Sequence, residues 1–139
     1  MKKDAIAEAV EIWRKSGRVF LITANVDGIP HLTIATKFSM DSINSASVAG
    51  WFCPQTVANL EENPNMGVAV WDEENDKGYQ LLGKKESLRE TAFLDGYDAG
   101  LEKKPLLPQV ERNVVIRVEK ILGFKKAPHS DLDVRGDHD

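Results

Sequence analysis

Trp51-Phe52-Cys53-Pro54-Gln55-Thr56-Val57-Ala58-Asn59-Leu60-Glu61-Glu62-Asn63-Pro64 is the stretch best placed to do chemistry. An apolar strand runs into a polar turn, a two-turn helix follows, and Asn63-Pro64 ends it just before a new apolar strand at Met66. Such a layout aims a helix N-terminus at the mouth of a sheet, with Gln55, Thr56 and unpaired backbone amides at the tip. Free N–H groups and the helix dipole both present positive potential there, so the tip favours an anion. The plainer reading is that Gln55 and Thr56 only cap a connecting helix.

Other reactive residue types are sparse. Cys53 is the one cysteine, which rules out an intramolecular disulfide. Before a helix tip it could be a reactive thiol, but it reads as a small buried hydrophobe at a strand end. His31 follows a hairpin turn and reads as a structural hydrogen-bonding group. His129, Asp131, Asp133, Asp137 and His138 have no metal-ligand spacing, and no metal site is expected. No side chain announces itself as a catalytic acid or base.

The elements that must position the tip follow from periodicity. Asp4 to Lys15 carries Ile6, Val10 and Trp13 at helical spacing and stops at Ser16-Gly17. Strands are predicted over 18–25, 31–38, 46–53, 66–71, 79–88 and 113–122, with a hairpin turn at Asp27-Gly28. Gly83 marks a bulge or a close backbone approach. A helix is predicted from Arg89 to Leu101, then a loop around Pro105 and Pro108. Six strands with few helices predict a mainly β fold, an antiparallel barrel with helical decorations. The 139 residues make one domain over 1–124 and a polar, frayed tail over 125–139.

A net charge of −4 with scattered basic pairs excludes a dedicated nucleic-acid binder. No apolar run reaches the ~18 residues needed to cross a bilayer. The acidic residues near Met1 do not suit a signal peptide, so a cytoplasmic protein with no membrane partner is expected.

The order of these pieces resembles the pyridoxamine 5′-phosphate oxidase-like family, the FMN-binding split barrels. Asp27-Gly28-Ile29-Pro30-His31, the Gln55 to Leu60 helix with Asn63-Pro64, and Gly78-Tyr79-Gln80-Leu81-Leu82-Gly83 carry the likeness, which covers roughly residues 5 to 122. The resemblance implies a six-stranded antiparallel split β-barrel that binds FMN between the subunits of a homodimer. Thr33, Ile34, Ala35, Thr36 and Lys37 would run beside the isoalloxazine, and Gly50, Trp51 and Phe52 would line the ribityl chain. Gln55 and Thr56, steadied by Asn59, would hold the phosphate.

The chain departs from the family pattern in charge. Family members often carry a basic residue where Gln55 or Thr56 stands, and the oxidase has a basic pair where Thr33 and Phe38 stand. A neutral site loses charge-assisted bonds, each about twice as strong as a neutral one. Lys37 is the one obvious basic residue near the expected site, and oxidation of pyridoxamine phosphate is not expected. The resemblance implies a flavin-dependent oxidoreductase or electron-transfer module with unknown substrate or redox partner. The alternative is a non-catalytic protein that stores or senses a flavin, haem-like or other ligand, or one that has lost its cofactor.

Overall fold

The computed structural model describes residues 5–94, 109–128 and 130–134. Helix α1 (Ala5–Ser16) buries Ile6, Ala9, Val10 and Ile12 on one face. It ends where Gly17 takes a left-handed φ of 79° and its amide donates to the Trp13 carbonyl. Strand β1 (Val19–Ala24) alternates buried and half-buried residues, as a strand on a core must. A turn over Asn25–Gly28 joins it to β2 (Pro30–Ala35). There the Asn25 Oδ1 accepts from the Asp27 and Ile29 amides, and Gly28 sits at a φ of 82°.

Strand β3 (Lys37–Ser42), β4 (Ser45–Trp51), α2 (Pro54–Glu62), β5 (Asn65–Asp72), β6 (Lys77–Leu94) and β7 (Gln109–Phe124) complete the order. All pairings are antiparallel, and the sheet runs β2-β1-β5-β6-β7-β4-β3. Its two edge strands, β2 and β3, are consecutive in the chain and joined by Thr36 alone. The sheet therefore rolls back on itself, and the barrel is split at that residue. Trp13 of α1 packs on the core beside the split, and its indole Nε1 donates to the Thr36 carbonyl at 2.9 Å.

Three expectations need correction. The sheet has seven strands rather than six, because the predicted strand over 31–38 breaks at Thr36 and its last residues start β3. Residues 89–94 are strand, not helix. Leu88 pairs with Val114, Arg89 with Asn113 and Glu90 with Arg112, so β7 supplies the backbone partners that the local sequence could not reveal. The rest of the predicted helix and the loop around Pro105 and Pro108 lie outside the described residues. Third, the polar tail does not fray at once. The Gly123 and Val134 amides donate to the Leu132 and Ile121 carbonyls, and Val134 packs on the core.

The reading of Gly83 holds. The register shifts between Leu82 and Gly83, and a Cβ there would lie 1.9 Å from the Arg117 carbonyl oxygen.

Candidate functional site

The site is built where β2, the end of β4 and the start of α2 converge. On β2, Thr33 and Ala35 point inward and are half-buried and buried, while Ile34 points outward and is exposed. Thr36 sits in the break. Lys37 opens β3 with its ammonium at 3.2 Å from the Glu111 carboxylate on β7.

Gly50 faces Thr36. It forms a bulge in β4 with a φ of 75°, and the Thr36 hydroxyl donates to its carbonyl at 3.4 Å. Trp51 is buried, its indole donating to the Val48 carbonyl at 2.9 Å, and serves the core. Phe52 is half-buried, and its carbonyl accepts from Nη1 of Arg112 at 3.3 Å. Arg112 is itself half-buried on β7. It places a guanidinium one residue before the helix N-cap. The sequence offered no signal for it, because its nearness to Phe52 depends on the pairing of β7 with β4.

Helix α2 begins at Pro54, whose missing N–H is no loss at that position, with Cys53 as N-cap. Gln55 and Thr56 then hold the two amides of the first turn that can meet an incoming group. Gln55 is exposed, and its Nε2 donates to the Asn59 Oδ1 at 2.9 Å. Asn59 is buried and donates onward to the Thr23 hydroxyl at 3.0 Å. This polar chain locks the helix onto β1. Thr56 is 0% exposed, and its hydroxyl has no hydrogen-bond partner besides the Cys53 sulfur. The position lies deeper than an outward-facing phosphate ligand would.

Cys53 is half-buried rather than enclosed, and its sulfur lies 3.8 Å from Nε2 of His31. Burial pushes the thiol pKa up. The Thr56 amide and hydroxyl, the Gln55 amide and the Thr33 hydroxyl outweigh it and hold the thiol below its ordinary value. These residues carry a polarised sulfur that the reading as a buried hydrophobe passed over. The signal was the position of Cys53 immediately before Pro54.

Together the residues fit an anion. The first-turn amides of α2 and the half-buried Arg112 guanidinium, held on the Phe52 carbonyl just before the helix, are the donors an anion would need. Among the described residues no cluster of His, Cys, Asp and Glu could hold a metal ion.

No family model and no curated protein sequence matches the chain. Solved structures do. A Clostridium acetobutylicum protein related to general stress protein 26, described as of the pyridoxinephosphate oxidase family, superposes with a TM-score of 0.64 at 13% identity over 97% of this chain and 98% of that one. An FMN-binding protein from Syntrophomonas wolfei gives 0.56 at 16% identity, over 86% of each chain. HutZ, described as the heme storage protein of Vibrio cholerae, gives 0.51 at 13% identity, over 87% of this chain and 94% of that one. The chain has the split-barrel fold of the pyridoxamine 5′-phosphate oxidase-like, FMN-binding proteins. That fold serves different cofactors in different proteins, so the site has to decide between them.

Proposed function

We propose that this chain binds FMN and acts as a flavin-dependent oxidoreductase or electron-transfer protein. The observation that carries the reading is the half-buried Arg112 guanidinium on the Phe52 carbonyl, beside the first turn of α2. It supplies the fixed positive charge that Gln55 and Thr56 lack. A charge-assisted bond to a phosphate is worth about 1.5–3 kcal/mol, against about 0.5–1.5 for a neutral donor.

In this reading the Gln55 and Thr56 amides and Arg112 hold the phosphate, and Asn59 fixes the helix that presents those amides. Gly50 and Phe52 border the ribityl chain, and Thr33 to Lys37 border the ring. The bound flavin would supply the redox chemistry, and the protein would orient it and exclude water.

A homodimer belongs to the same proposal. Leu32 and Ile34 stand 58% and 52% exposed on the outer face of edge strand β2. A second copy related by a two-fold axis would cover them and close the groove. The net charge of −4 disfavours a nucleic-acid partner. No helix among the described residues is long and apolar enough to cross a membrane, and a cytoplasmic location is part of the proposal.

The visible spectrum of the purified protein tests the reading. Flavin bands that a reduced nicotinamide bleaches support the redox role. Flavin bands that no reductant donor bleaches support a storing or sensing role instead. A haem band, or no uptake of added FMN, contradicts flavin binding.

A further inference from the structure

The Cys53 sulfur and His31 form a second chemical feature at the start of α2, where the proposed phosphate site also lies. The sulfur is reachable from solvent, stands at the N-terminus of a nine-residue helix, and has an imidazole nitrogen at 3.8 Å. Beside it the Thr56 hydroxyl is buried with no acceptor but that sulfur, and a sulfur is a weak acceptor. Nδ1 of His31 is buried and unpartnered. A sulfur, a base and a donor thus meet at one point.

We propose that Cys53 is a reactive thiol that hydroperoxides oxidise to a sulfenic acid, with His31 as its proton acceptor and Thr56 as the donor that receives the new oxygen. In the first step Nε2 of His31 takes the thiol proton. The thiolate then attacks the terminal oxygen of the hydroperoxide. An S–O bond forms and the O–O bond breaks, so sulfur loses two electrons and the peroxide gains them. The departing alkoxide takes the proton from His31 and leaves as an alcohol, or as water when the oxidant is hydrogen peroxide. The new oxygen accepts from the Thr56 hydroxyl, which exchanges a weak sulfur acceptor for an oxygen.

The groups facing the sulfur come from two elements. Strand β2 contributes His31, the titratable one, and the Thr33 hydroxyl. Helix α2 contributes the Gln55 and Thr56 amides and the Thr56 hydroxyl. Cys53 is the only cysteine, so the sulfenic acid has no resolving thiol in its own chain. It would persist until an external thiol reduces it.

The test uses the purified 139-residue chain, without added flavin. Alkylation of Cys53 by iodoacetamide near neutral pH is timed for the folded protein and for the same protein unfolded in urea. Folded protein should react several-fold faster, because the lowered thiol pKa raises the thiolate fraction near neutral pH. One equivalent of hydrogen peroxide followed by dimedone should then label Cys53, read by intact mass and peptide mapping. His31→Gln should slow the oxidation of Cys53 by hydrogen peroxide several-fold and leave most of the folded protein's alkylation advantage, which comes from the Thr56, Gln55 and Thr33 groups. Thr56→Val should shorten the life of the sulfenic acid. A folded protein that alkylates no faster than the unfolded one, or gives no dimedone adduct, overturns the proposal without reference to any variant.

Discussion

Thr36 occupies the space that a side chain on Gly50 would need: a Cβ built there lies 2.1 Å from the Thr36 Oγ1. The two residues come from the split in the barrel and from the β4 bulge, and both border the proposed ring and ribityl positions. Gly50→Ala should destabilise the fold on two counts. The left-handed φ of 75° costs about 1–2 kcal/mol for a residue with a Cβ, and the overlap with Thr36 adds to it. Thr36→Ala removes the overlapping hydroxyl, so the double variant should recover the second part only. Urea denaturation of the four proteins measures the coupling, and strict additivity would show that the contact is not as tight as described.

Trp13 holds the same split from the other side. Trp13→Phe keeps an aromatic ring but loses the bond to the Thr36 carbonyl, and should cost about 1 kcal/mol. Trp13→Ala also loses packing, and for a half-buried ring should fall near the low end of the usual range, about 3 kcal/mol. Equal losses for the two variants would mean that packing contributes nothing here.

Much of this arrangement was legible in the sequence, and what was legible was local. The stripe of α1, the Asp27-Gly28 turn, the α2 boundaries and the Gly83 close approach each rest on residues within a few positions of one another. The break at Thr36 was not legible, because Thr33 to Phe38 alternates well enough to read as one strand. The β2–β3 division is imposed when the sheet closes and Trp13 takes the Thr36 carbonyl. Arg89 to Leu94 misled for the same reason, since a short mixed run fits either period until β7 pairs with it. Arg112 needed that long-range pairing too. The expected site was therefore read with its neutral residues and without its guanidinium.

Asp72 ties α1 to the end of β5 and should make stability depend on acid. Lys15 stands 2.9 Å from its carboxylate, and with Asn75 holds the pKa at about 2, below the usual carboxylate range. The same contact raises Lys15. A carboxyl depressed on folding adds stability above its unfolded pKa of about 3.9 and loses it as pH falls towards the folded value. Lys15→Met should therefore be less stable than the wild type near neutral pH, with the gap closing between about pH 4 and pH 2. Urea titrations across that window check it, and a gap independent of pH contradicts the ion pair.

Leu32→Lys combined with Ile34→Lys should separate the proposed dimer, because both side chains stand outward on the β2 edge. Charges brought face to face across a two-fold axis repel and carry a desolvation cost. Light scattering at micromolar concentration should return twice the 15.5 kDa chain mass for the wild type and the single mass for the double variant. A wild type that runs as a monomer removes the dimer from the account.

The central claim is that a flavin phosphate lies at the α2 tip with Arg112 as its charge. Isothermal titration of wild type and Arg112→Gln with FMN and with riboflavin, which has no phosphate, tests it most directly. FMN should bind the wild type more tightly than riboflavin does. Arg112→Gln should weaken FMN by about 1.5–3 kcal/mol, roughly ten- to a hundredfold, and leave riboflavin unchanged. Equal weakening of both ligands would place the phosphate elsewhere, and a wild type that binds neither would contradict flavin binding altogether.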